Sequence, residues 1–108
     1  MQSETTNSKS QMRKGILEYI VLLILKKKKA YPSEIIQILK ESDFIVVEGT
    51  IYTLLNRLRK EGKLDYEWVE STEGPPRKYF VLTESGSSAL SALEKEWTTI
   101  IKVIDSLT

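Results

Sequence analysis

The hydrophobic period changes twice along this chain, and the two changes leave few folds open. Up to Gly62 the apolar residues recur at helical spacing. From Leu64 they alternate, with Leu64, Tyr66 and Trp68 separated by Asp65 and Glu67, and after Thr83 the helical spacing returns. Tyr79 to Leu82 reads as a second short strand, with Tyr66 and Trp68 assigned to the core. Residues 70–76, which carry Ser, Thr, Gly and two Pro, read as a long hairpin tip. The expectation is a mainly α fold with a small β-hairpin set before its last helix.

Three helices precede the hairpin. The first, about Met12 to Lys27, places Ile16, Ile20 and Leu23 on one face, while Leu17, Val21, Leu22 and Leu25 cover the others. Such a helix asks for burial almost all round, more than a domain of 108 residues can supply, so a second subunit is expected to cover the remainder. Pro32 and Glu34 start a second helix that runs to about Lys40 or Glu41. A third begins near Glu48 and Gly49, carries Ile51, Leu54, Leu55 and Leu58 at core spacing, and stops at Gly62. Thr83 caps the last helix, in which Leu90, Leu93, Trp97, Ile100, Ile104 and Leu107 are spaced 3, 4, 3, 4, 3. Nothing else in the chain can pair with that heptad seam along its length, which again points to a homodimer.

Composition narrows the chemistry. With no cysteine and no histidine there is no disulfide, thiolate nucleophile, imidazole base or Cys/His metal site, and no metal or cofactor is implied. Glu94 and Glu96, at i and i+2, do not share a helix face, so no enzyme is expected. A net charge of +1 predicts no general affinity for nucleic acid, so any DNA contact must come from local placement. The apolar stretch from Ile16 to Leu25 is too short to span a bilayer and is followed by Lys26 to Lys29 rather than a cleavage site, which predicts a cytoplasmic protein with no membrane partner. Residues 1–11 read as a disordered polar tail, residues 12–83 as the DNA-binding unit and residues 84–108 as a dimerisation helix.

Helix, helix, helix, hairpin, helix is the order of a winged helix-turn-helix, whose third helix enters the major groove. With its apolar stripe inward, that helix turns Gly49, Thr53, Asn56 and Lys60 outward, flanked by Thr50, Tyr52 and Arg57, with no acidic residue among them. Arg77 and Lys78 follow the stiff Gly74-Pro75-Pro76 segment. A winged-helix module that binds protein instead of DNA is the alternative; the gathering of Asn56, Arg57, Lys60, Arg77 and Lys78 on one side disfavours it. Lys26 to Lys29 read as a solvated turn, with contact to flanking DNA as their other role.

Glu48-Gly49-Thr50-Ile51-Tyr52, Leu54-Leu55, Arg57-Leu58 and above all Gly74-Pro75-Pro76-Arg77-Lys78-Tyr79-Phe80, with Leu82-Thr83-Glu84 and Gly86, closely resemble the PadR family of bacterial transcriptional regulators. The resemblance runs from about Met12 to Leu107 and fits the short subfamily, which has one C-terminal helix. It implies a homodimeric repressor released by a small aromatic effector or another signal, and the two-fold symmetry of such a dimer predicts an inverted repeat of double-stranded DNA as its site. DNA contacts are implied at Thr50, Tyr52, Thr53, Asn56, Arg57, Arg77 and Lys78, to which the outward face adds Lys60. Dimer contacts are implied on the first and last helices, here Ile16, Ile20, Leu90, Leu93, Trp97, Ile100, Ile104 and Leu107. Trp97 stands where a multidrug-binding member has a ligand-stacking tryptophan, and its other reading is a packed seam residue. Two departures stand out: Pro32-Ser33 replaces a common Gly-Tyr pair, and Val47 replaces a common capping Ser.

Overall fold

A computed structural model describes residues 2–108, with side chains from Asn7 onward. The order is α1 (Gln2–Lys27), α2 (Pro32–Glu41), α3 (Glu48–Lys60), β1 (Leu64–Ser71), β2 (Gly74–Leu82) and α4 (Glu84–Leu107). Leu17, Val21, Leu22 and Leu25 of α1 meet Ile35 and Leu39 of α2 and Ile51, Leu55 and Leu58 of α3 in one core. Leu64 and Phe80 close it from the hairpin and Leu90 from α4.

Local chemistry sets the joints. Helix α2 ends with Asp43 at φ 59°, the Asp43 amide donating to the Lys40 carbonyl and the Phe44 amide to that of Leu39. Helix α3 ends in the same way on Gly62 at φ 79°, with Gly62 N–H to Arg59 O at 2.9 Å and Lys63 N–H to Leu58 O at 2.9 Å. These paired bonds close the last carbonyls of both helices and turn the chain sharply. Val47 gives α3 no side-chain cap, whereas the Thr83 hydroxyl caps α4 by accepting the Gly86 amide at 3.0 Å.

The structure departs from the sequence-based expectations in four places and adds one pairing on which the sequence was silent. Residues 2–11, expected to be a tail without structure, continue α1 as helix. They contain neither Gly nor Pro, and extending an existing helix adds a hydrogen bond per residue without a new nucleus. Strand β2 starts at Gly74, not Tyr79, so the hairpin tip is the pair Thr72 and Glu73, closed by Ser71 opposite Gly74. Both strands of a two-stranded sheet are edges, which is why Pro75 and Pro76 can lie within one. Trp68, expected in the core, is 64% exposed, because the hairpin runs beyond the helices that cover Leu64 and Phe80. Leu90, assigned to a dimer seam, is buried in the chain's own core. Finally, Ala30 pairs with Phe80 through N–H to O bonds of 3.2 and 2.8 Å, tying the α1–α2 link to the hairpin.

Candidate nucleic-acid interface

Helix α3 buries Ile51, Leu54, Leu55 and Leu58 and leaves Gly49, Thr50, Tyr52, Thr53, Asn56, Arg57 and Lys60 exposed. These exposed residues divide between two flanks. On one flank, Tyr52 and Asn56 face Arg77, Lys78 and Phe80 of the hairpin across a groove of about 320 Å³. Tyr31, Pro32 and Ser33, at the start of α2, close the end of that groove. Its lining holds no carboxylate. The other flank turns toward α1, where Gly49, Thr50, Thr53 and Arg57 line a hollow with Lys14 and Leu17.

The hairpin cations are held in place. The Arg77 guanidinium lies 4.5 Å from the centre of the Tyr31 ring and donates to its hydroxyl at 3.0 Å. Tyr31 in turn meets Tyr79 edge-on at 5.1 Å. The Lys78 ammonium sits 4.1 Å from the centre of the Tyr66 ring, and Arg59, from the last turn of α3, lies 4.4 Å from the same ring. Among the described residues none of Lys60, Arg59, Arg77 and Lys78 is within ion-pair distance of a carboxylate. Arg59, Arg77 and Lys78 are cations stacked on aromatic faces, and Lys60 is exposed on α3.

Arg57 is placed differently. Its guanidinium donates to Glu18 of α1 at 2.6 Å and to Glu61 at 2.9 Å, and Lys63 bridges the same two carboxylates at 3.5 and 3.0 Å. Hydrogen bonding to Glu18, then to Glu61, raises the Arg57 pKa above its ordinary value. Lys63 first and Arg57 second hold Glu61 below the ordinary carboxylate range. The Arg57 side chain therefore braces α3 against α1, turned away from the groove that Tyr52 and Asn56 line. Two residues escaped the sequence reading, Tyr31 in the groove and Arg59 on the Tyr66 ring. Tyr31 looked only like the residue before a helix-starting proline, and Arg59 only like a charge suited to a helix end.

The Lys26 to Lys29 run is largely neutralised at home, with Lys26 on Glu94, Lys28 on Glu34 and Lys29 on Glu67. At the far side of the molecule Trp97 is 39% exposed and tilted against Tyr19 at 6.3 Å. Beyond it Ile100, Ile101, Val103, Ile104 and Leu107 are exposed along α4, while Ile16, Ile20 and Leu93 are half-buried. No helix among the described residues is long and apolar enough to cross a membrane.

Known proteins share this arrangement. The family described as transcriptional regulator PadR-like matches residues 21–92. A PadR-like transcription factor from Bacteroides fragilis is 55% identical, with 94% of this chain and 99% of that one aligned at a TM-score of 0.80. A PadR-like regulator from Bacillus cereus is 33% identical over 90% of this chain and 95% of its own, also at 0.80. A PadR family regulator from Eggerthella lenta is 26% identical over 98% and 93% of the two chains, at 0.85. A three-helix unit, a cationic hairpin and a single long C-terminal helix are thus joined in one chain that belongs to the PadR-like family of transcriptional regulators.

Proposed function

We propose that this regulator acts as a homodimeric repressor that reads an inverted repeat of double-stranded DNA and is released by a small aromatic effector. The observation that carries the DNA contact is the groove between α3 and the hairpin, where hydrogen-bonding Tyr52 and Asn56 face Arg77 and Lys78 without a carboxylate. In this reading Asn56, Tyr52 and Thr53 reach base edges, and Thr50, Lys60, Arg77 and Lys78 hold phosphates. Arg57 contributes from behind, by fixing α3 on α1. The unpartnered apolar stripe of α4 supports the dimer, and the exposed face of Trp97 beside it suits a flat guest.

A two-fold dimer sets its two α3 helices about one DNA turn apart, roughly 34 Å. About four phosphate contacts per protomer give a slope of roughly −7 for the log of the binding constant against log salt. Fluorescence anisotropy of a labelled duplex from upstream of the protein's own coding sequence, beside a scrambled duplex, tests the reading. Tight, salt-steep binding to the first alone is expected. Equal, weak binding to both, unaltered by Asn56→Ala, would remove the base-reading role assigned to the groove.

A further inference from the structure

Trp68 is the most exposed large aromatic side chain of the hairpin, and the groove described above does not use it. Exposing an indole to water is unfavourable by its apolar area, and here the indole adjoins a second aromatic ring that carries two cations. By strand register Trp68 lies opposite Lys78, and Tyr66 opposite Phe80. Alternation puts all four on the sheet face whose inner end, Leu64 and Phe80, enters the core. Lys78 and Phe80 also line the groove beside α3. Trp68 therefore extends the hairpin face that walls that groove.

The setting of the indole is specific. It meets Tyr66 edge-on, with centroids 6.4 Å apart and planes at 87°. The Tyr66 ring carries Lys78 at 4.1 Å and Arg59 at 4.4 Å, so two cations from different elements are stationed beside Trp68. A cation over a ring uses the π face and leaves N–H groups free to donate, and its held position lowers the entropy lost on binding. The nearest carboxylate on β1, Glu67, points to the opposite face and is paired with Lys29. At the bulge the extra residue lies on β2, where Pro75 and Pro76 stand against Glu70.

We propose that Trp68, Lys78 and Arg59 form a docking site for the DNA sugar–phosphate backbone, with the indole packed on a deoxyribose and the two cations on the phosphates that flank it. Charge selects this occupant: Lys78 and Arg59, neither paired with a carboxylate, sit on the Tyr66 ring that the indole meets, and cations next to an apolar plate match the alternation of anionic phosphate and apolar sugar along one strand. The site would position the hairpin without reading sequence. The inference rests on the DNA-binding reading, and its test separates the two.

The test is anisotropy titration of a random-sequence duplex at low salt, where any B-form duplex should bind, and of the upstream duplex. Trp68→Ala should weaken both complexes by a similar factor, about fivefold to tenfold, and Trp68→Phe should restore part of the loss. Lys78→Ala should flatten the salt slope by about 1. Asn56→Ala should weaken the upstream complex alone. In protein labelled with 5-fluorotryptophan, the fluorine resonance assigned through Trp68→Phe should shift when the random duplex is added. Failure of the wild-type chain to bind either duplex would remove the DNA-binding reading itself. Wild-type binding with no change in Trp68→Ala and no fluorine shift would overturn this inference and leave that reading standing. A change of sedimenting mass in Trp68→Ala without loss of DNA would assign the indole to self-association and overturn it equally.

Discussion

At the scale of single residues, Arg57 carries the sharpest test, because two roles for it predict opposite signs. If the guanidinium contacted phosphate and Glu18 merely competed for it, Glu18→Gln would free Arg57 and tighten DNA binding. If the ion pair braces α3 on α1, the same substitution should weaken binding, as should Arg57→Ala, and the double variant should be no worse than either single one. We expect the second pattern, read by anisotropy, with a stability loss of no more than about 1 kcal/mol because the pair is partly exposed. Glu61 adds a pH dependence. Its folded pKa lies below its unfolded one, through Lys63 and then Arg57, so its contribution is complete above the ordinary carboxylate range and fades as pH falls through the lowered value. Urea midpoints should drop below about pH 4, and Glu61→Gln should make that drop shallower; an unchanged acid slope would show that Glu61 takes no part. None of this was legible from the sequence. Periodicity assigned Arg57 to an outward face, but Glu18 lies 39 positions earlier, and only the crossing of α1 over α3 brings the two together.

At the scale of elements, the junction of hairpin and last helix is the tightest joint in the chain. Thr83 accepts the Gly86 amide, donates its hydroxyl to the Gly62 carbonyl at 2.7 Å, and gives its own amide to the Lys63 carbonyl at 3.1 Å. Gly86 is required there, since an added Cβ would overlap the Lys63 carbonyl oxygen and lie 2.8 Å from Leu82 Cδ1. Gly86→Ala should destabilise the fold by about 3 kcal/mol and Thr83→Ala by about 1 kcal/mol, both measurable by urea unfolding. Equal and small effects would mean that the turn after α3 and the start of α4 separate easily. The sequence showed both ends of this joint, Gly62 as a helix stop and Thr83 as a cap, because helix termini are written in local chemistry. It did not show that they bond each other. The same division explains the rest: Pro32, Gly62 and Thr83 placed the boundaries of α2, α3 and α4. The Ala30 to Phe80 pairing, the short hairpin tip and the exposure of Trp68 depend on how far the strands outrun the helices, which alternation alone does not encode.

At the scale of the whole molecule, the second half of α4 leaves large apolar side chains exposed. The helix is about 36 Å long at 1.5 Å per residue, yet only its first half is anchored: Leu90 enters the core and Leu93 packs against it. Beyond Trp97, Ile100, Ile101, Val103, Ile104 and Leu107 form an apolar stripe open to water, the kind of surface that marks an interaction site. Thr83 and its bonds lock the start of that helix to the turn that ends α3, so in the proposed dimer a change in how the two α4 helices cross would move both α3 helices together. A ligand that favours one crossing over another could thereby release DNA, provided it binds the two arrangements with different affinity. Ile100→Glu with Ile104→Glu should separate the protomers without unfolding them, since neither side chain enters the core. Sedimentation should then report one chain in place of two, with helical circular dichroism kept. Affinity for an inverted repeat should fall by about 10²-fold or more, because each half-site is then bound without the help of the other. A variant that sediments and binds DNA like the parent would place the dimer contact elsewhere, and with it any route by which a guest at Trp97 could reach α3.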